Sequence, residues 1–305
     1  MKLREAIDWG KLAPLRLHAK VAADGVYAGA HRSVRRGAGV EFGGHRNYVP
    51  GDDLRFLDRH ARMRHGLLLV REFETETDRA LRLIVDASAS MGFKSEQALA
   101  AKYAYAAVIA AALGRVAVVR GDRVALDFIG GGNTVPLPST GGREAFERLV
   151  GHLESAAPTG DADVKTLERA LAPTARYARR GAAVVVLSDL IDLPDDAPDL
   201  LAGLSAGGRA LVVVQVLDPV EQTFPFQGAV ALRALEGASF VETEAEGVRA
   251  QYLAALAALQ KSWEQRLLGR GARLLLVSSA EEPTEVVRRV LLALSEAGES
   301  ARGAA

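Results

Sequence analysis

The amino-acid sequence predicts an α/β protein: a doubly wound, mainly parallel sheet over residues 81–297, with a smaller β-rich part over residues 1–80. Three observations predict it. After residue 80, short apolar runs alternate with segments of helical periodicity. Those runs are built almost wholly of Val, Leu, Ile and Ala, as in parallel strands buried on both faces. Before residue 80, glycines and short alternating runs such as GVEFGGHRNYVPG (39–51) point to hairpins and turns.

Taken in order, LLLVREFETETD (67–78) reads as a strand leading out of the N-terminal part. LRLIVD (81–86) is the first buried strand, and a long Ala-rich helix follows over roughly 95–118. DRVALDFI (122–129) is a strand, and GGGN turns it back into TVPL, a hairpin that should form an antiparallel edge. GREAFERLVGHLE (142–154) sets Phe146, Leu149, Val150 and Leu153 at helical spacing. A second helix starts near Asp163 and meets Pro173, which should end or kink it. AAVVVLSDL (182–190) and ALVVVQVLD (210–218) are strongly apolar strands, and 81–86 and 182–189 are expected to be central neighbours. The helix at 247–268 carries Tyr252, Leu256, Leu259 and Trp263 on one face; GARLLLVSS (271–279) is a strand. A closing helix (284–296) turns Val286, Val287, Val290, Leu291 and Leu294 inward, and residues 298–305 read as a disordered tail.

The chain has 305 residues, 49% of them hydrophobic and 25% charged, which suits a folded protein and not a disordered one. Lys plus Arg and Asp plus Glu are both 38, so no basic excess points to nucleic acid. The charge is uneven, however: residues 1–80 hold 15 basic against 11 acidic residues, and five of the six histidines. With no cysteine, thiolate catalysis, disulfides and Cys-ligated metals are excluded, and the composition fits a cytoplasmic protein. MKLREAIDWGKLAP has no apolar h-region, and the apolar stretch at 103–114 is shorter than the ~20 residues of a membrane span.

In an open α/β sheet, ligands bind beyond the carboxyl ends of the strands, at the switch point. Two strand ends here carry polar residues: DASASM (86–91) and SDLID (188–192). Asp86, Ser88 and Ser90 alternate along an extended turn, so their oxygens can converge, and Asp189 arrives from another strand. Carboxylates and hydroxyls are hard oxygen donors that suit Mg²⁺. An ion held by two carboxylates and neutral hydroxyls would seek an acidic group from outside. The plainer alternative is a turn in which Asp and Ser cap the next helix.

D-x-S-x-S-M, with a later apolar strand ending in Ser-Asp, resembles the metal-ion-dependent adhesion site of von Willebrand factor A (vWA) domains. GVEFGGHRNYVPGDDLRFLD (39–58), ARMRHGLLLVREFE (61–74), DASASM and GDRVAL (121–126) together resemble the bacterial domain-of-unknown-function 58 family, over about residues 30–295. The resemblance implies a vWA/Rossmann-like domain and a non-enzymatic interaction module. In it Asp86, Ser88, Ser90 and Asp189 would hold Mg²⁺ or Mn²⁺ and dock an acidic group of a partner. It further implies a MoxR-type AAA+ ATPase as partner, with the chain as an adaptor in complex assembly. Two positions depart from the pattern. Arg59 stands where the family usually has Trp, and GDADVKTL (160–167) puts Ala162 where vWA sites have a Thr. Thr159, Asp161, Asp163 and Thr166 lie near enough in sequence to substitute. A metal-dependent hydrolase or phosphotransferase, and a metal-free scaffold, are the alternative readings.

Other signals carry less. GLSAG (203–207) fits the G-x-S-x-G elbow, but a helix precedes it and a strand follows, the reverse of what a nucleophilic Ser205 needs. GGG (130–132) is not a phosphate loop, and no histidine pair has a zinc spacing. Asp52, Asp53 and Arg55 are expected to order a turn. Phe42, Tyr48, Phe56 and Leu57 are expected to pack the N-terminal part against the α/β domain.

Overall fold

The computed structural model describes residues 36–37, 41–49, 57–58, 68–74, 80–233 and 240–303. The chain divides into two compact units, one of them Tyr27–Asp78 and the other Met1–Val26 with Arg79–Ala305. In the first of these, β1 (Arg36–Gly37), β2 (Glu41–Asn47) and β3 (Leu69–Glu74) form an antiparallel sheet in the order β1-β3-β2. It is the β-rich segment the sequence predicts. Asp52, Asp53, Arg55, Phe56 and Arg59 lie outside the described residues.

The second unit is built on β4 (Ala80–Asp86), β5 (Arg123–Ile129), β6 (Leu137–Thr140), β7 (Ala183–Ser188), β8 (Ala210–Leu217) and β11 (Arg273–Ser278), in the order β11-β8-β7-β4-β5-β6. All neighbours are parallel except β5 and β6, the predicted hairpin edge. β4 and β7 are the central neighbours, as expected. The chain runs outward from β4 to β5 and β6, then returns to the other side of β4 as β7. The switch point therefore lies between β4 and its flanking strands.

Helices cover both faces. α1 (Lys102–Val119), α2 (Ala145–Ser155) and α7 (Pro283–Gly303) share one side; α3 (Val164–Tyr177), α4 (Ala197–Gly203) and α6 (Ala245–Leu268) share the other. Alternate strand residues serve the two layers. Ile84, Val184, Val186, Leu211 and Val213 pack with Leu167, Leu171, Leu201, Trp263 and Leu267 of the second layer. α5 (Pro219–Thr223) follows β8, and an antiparallel hairpin of β9 (Ala229–Arg233) and β10 (Phe240–Glu244) precedes α6.

Three expectations change. The Ala-rich helix starts at Lys102 rather than near 95, because residues 93–101 run as a loop tied down by Ser95 N to Asp218 Oδ2 and Leu99 N to Ser279 O. Pro173 does not end α3: the buried face of Leu167, Ala170, Leu171 and Thr174 runs through it, and packing holds the turn that the missing N–H weakens. The closing helix extends to Gly303, through most of the expected tail. Among the described residues, α1 alone has the length and apolarity of a membrane span, and 83% of that stretch is buried inside the fold.

Candidate functional site

The carboxyl ends of β4 and β7 bring the two predicted polar turns together. Asp86 is 1% exposed, and both its oxygens accept hydrogen bonds: Oδ1 from Ser88 N at 2.9 Å and Oδ2 from Ser188 Oγ at 2.5 Å. Ser88 Oγ and Ser90 Oγ lie 3.2 Å apart, so the D-x-S-x-S turn converges as its spacing predicts. Burial, reinforced by the nearby Asp189 charge, pushes the Asp86 carboxyl up to about 7 against the pull of these hydrogen bonds. The glycines of the GGG turn let the β5–β6 loop approach this turn. A Cβ on Gly131 (φ +84°) would stand 2.6 Å from that of Ala87, and one on Gly130 (φ +61°) 3.3 Å from Ser88 Cα.

The β7 end is equally constrained. Ser188 Oγ also accepts from Leu190 N at 3.0 Å, and Leu190 is left-handed (φ 61°), a strained conformation for a branched residue. Asp189, 2% exposed, points between Ile191 N, 3.2 Å from Oδ1, and the ammonium of Lys102, 2.9 Å from Oδ2. Lys102 is fully buried and also donates to Glu221 Oε1 at 2.6 Å. Glu221 Oε2 accepts from Asp218 N at 2.8 Å in the capping box of α5. Gln260 donates to Gln215 Oε1 at 2.9 Å, and Gln215 donates to the Asp189 carbonyl at 2.8 Å. Burial raises the Glu221 carboxyl and Lys102 opposes that rise. For Lys102 the order inverts: burial lowers its affinity for a proton, but Asp189 and Glu221 together raise it above the usual lysine range, so it stays charged.

The sequence reasoning found Asp86, Ser88, Ser90 and Asp189, and the fold places all four at one end of the sheet. It missed Lys102, Glu221, Ser188, Gln215 and Asp218. One signal for Lys102 was present: a lysine opening an otherwise apolar helix sits at the end whose dipole disfavours cations.

These residues do not fit a resident Mg²⁺ as they stand. Such an ion wants near-octahedral oxygen donors, one or two carboxylates among them. Here an ammonium holds the Asp189 carboxylate, and both Asp86 oxygens accept protein hydrogen bonds. Ala162 is buried among Ile84 and Ile129 and brings no side-chain oxygen. Of the nearby substitutes, Asp163 and Thr166 cap α3 together, with Thr166 N donating to Asp163 Oδ1 at 2.8 Å. Among the described residues, no group of three or more His, Asp or Glu side chains is placed to hold a metal. Ser205 is a helix-to-strand turn residue, its hydroxyl within donating distance of two carbonyls, those of Ala202 and Arg270.

Comparison with known proteins places the chain in a family. BatB from Bacteroides thetaiotaomicron is similar at a TM-score of 0.45 and 14% identity, over 71% of this chain and 98% of that one. A von Willebrand factor type A protein from Catenulispora acidiphila is similar at a TM-score of 0.35 and 12% identity, over 74% and 44%. In sequence, the uncharacterized protein Rv1480 of Mycobacterium tuberculosis is 30% identical over 279 residues, 90% of this chain and 86% of the relative. A family model described as "Protein of unknown function DUF58" matches residues 44–262. With well over half the chain matched by that model, the chain belongs to the DUF58 family.

Proposed function

We propose that the chain is a non-enzymatic protein-interaction module that docks its partner on the loops at the carboxyl end of the six-stranded sheet. The observation that carries the reading is how the polar groups there are used. Lys102 lies between Asp189 and Glu221, and Asp86 between Ser88 and Ser188, so each of these side chains is already held by partners within the protein. Such a cluster stiffens the loops it supports, and those loops carry exposed residues: Lys94, Ile191 and Asp192. A surface held rigid before contact loses little freedom on binding. The partner class we propose is the MoxR-type AAA+ ATPase implied by the sequence resemblance.

The test is a direct binding measurement between the purified chain and a MoxR-type ATPase from its own organism, run in Mg²⁺ and again in EDTA. Binding that Ile191→Glu weakens by about tenfold or more, with the fold intact by circular dichroism, supports the reading. Turnover of a phosphoester or peptide substrate by the chain alone would overturn it.

A further inference from the structure

We propose that the Lys102 ammonium is the resident cation of this polar centre, and that the chain assembles the centre and presents its docking loops without a divalent metal. The docking clause rests on the function proposed above; the cation clause stands apart from it.

Geometry comes first. Three separate connections meet on one nitrogen: the start of α1, the turn after β7 through Asp189 at 2.9 Å, and α5 after β8 through Glu221 at 2.6 Å. Cross-linking strand-end loops through carboxylates is the task a bound cation performs, and a lysine side chain performs it covalently attached. The placement is also purposeful. Lys102 is the first residue of a helix otherwise made of Ala, Val, Leu, Ile, Tyr, Gly and one Arg, where a cation opposes the helix dipole and its burial costs hydration. Its two carboxylate partners, Asp189 and Glu221, compensate for both.

Competition decides the rest. A metal on Asp189 would sit about 2.1 Å from a carboxylate oxygen, and hence within about 5 Å of Nζ if that oxygen kept the ammonium. Two positive centres that close, in a buried site, repel one another and weaken joint occupancy. The ammonium holds the position through two contacts, and Ala162 brings no side-chain oxygen to compete for it.

Mn²⁺ binding to the full-length chain, read by water-proton relaxation near neutral pH, tests the proposal. The wild type is expected to bind no Mn²⁺ tighter than about 1 mM, and Lys102→Arg, which keeps the charge, should behave alike. Lys102→Ala, which frees Asp189, should bind at least about tenfold tighter, and adding Asp189→Asn should abolish the gain. Sub-millimolar binding by the wild type that Asp189→Asn removes overturns the proposal, and so does a folded Lys102→Ala that binds no tighter than the wild type. If Lys102→Ala does not fold, the wild-type and Lys102→Arg titrations decide alone. No partner enters this experiment, so its outcome is separate from that of the docking test. Within the docking test, binding that survives EDTA supports the metal-free clause, and binding lost in EDTA contradicts it.

Discussion

Replacing Lys102 by Met removes the ammonium and keeps most of the side-chain volume. At an effective dielectric of about 20, contacts at these distances correspond to roughly 6 kcal/mol each of gross Coulomb attraction, most of it offset by the desolvation of three groups. What survives is the penalty for stranding the carboxylates. Asp189, 2% exposed, keeps only the Ile191 N–H on its side-chain oxygens, while Glu221, 18% exposed, retains Asp218 N and some water. The loss should therefore follow the range for breaking a buried pair from one side, about 3–5 kcal/mol, with Asp189 carrying most of it. Adding Asp189→Asn to Lys102→Met removes the stranded charge and should recover at least about 1.5 kcal/mol. The loss should also depend on pH. Lys102 opposes the burial that raises the Glu221 carboxyl, so without it that carboxyl rises further. A raised acid adds stability at low pH that is lost as pH rises through its folded value, so the deficit of Lys102→Met should shrink as the pH falls toward about 4. Urea unfolding of both variants, at two pH values, supplies these numbers. A Lys102→Met protein within about 1 kcal/mol of wild type, or a double variant as unstable as the sum of its parts, would refute the reasoning.

Two further outcomes follow from the core. Gly114→Ala should destabilise the protein by about 1–2 kcal/mol in urea, despite alanine's better helix propensity, because the new Cβ would stand 2.1 Å from Leu149 Cδ2 where α1 meets α2. Asp127, buried on β5, has its carboxyl pushed up to about 6 by burial, against the pull of Arg82. The sign follows: its stabilising share is full below about pH 4 and lost as the pH rises through about 6, a swing of roughly 3 kcal/mol. In Asp127→Asn, stability should fall less between those limits than in wild type; an unchanged slope would contradict the assignment.

How far the sequence could be read depended on the range of the interaction. The runs 81–86, 182–190 and 210–218 announced central strands because parallel strands covered on both faces need unbroken apolar sequence. The convergence of Asp86, Ser88 and Ser90 was legible because it is local, set by the alternation of an extended turn. Asp189 was legible because it ends a buried strand, where an open sheet exposes its ligand edge. Lys102 and Glu221 were not. Their meaning comes from contacts 87 and 119 residues apart in sequence, which no local pattern encodes. Misplacing the start of α1 near residue 95 hid the lysine inside a supposed helix, since the hydrogen bonds that hold 93–101 as a loop are themselves long-range. Pro173 did not end its helix, because a buried face runs through it.

The hairpin between β8 and β11 has a consequence for how this chain can change. Gly228 accepts from Ala245 N at 2.9 Å and donates to the Glu246 carboxylate at 3.0 Å, so the two ends of the β9–β10 hairpin are stapled together at its base. Its strands pair with each other and with no strand of the six-stranded sheet, and Phe240 and Val241 are more than half exposed. A segment closed at its base is a cassette: it can be lengthened, trimmed or exchanged while the flanking helices stay where the core holds them. In descendants of this chain, novelty should accumulate above that base sooner than in the buried polar cluster, where every substitution must satisfy several partners at once.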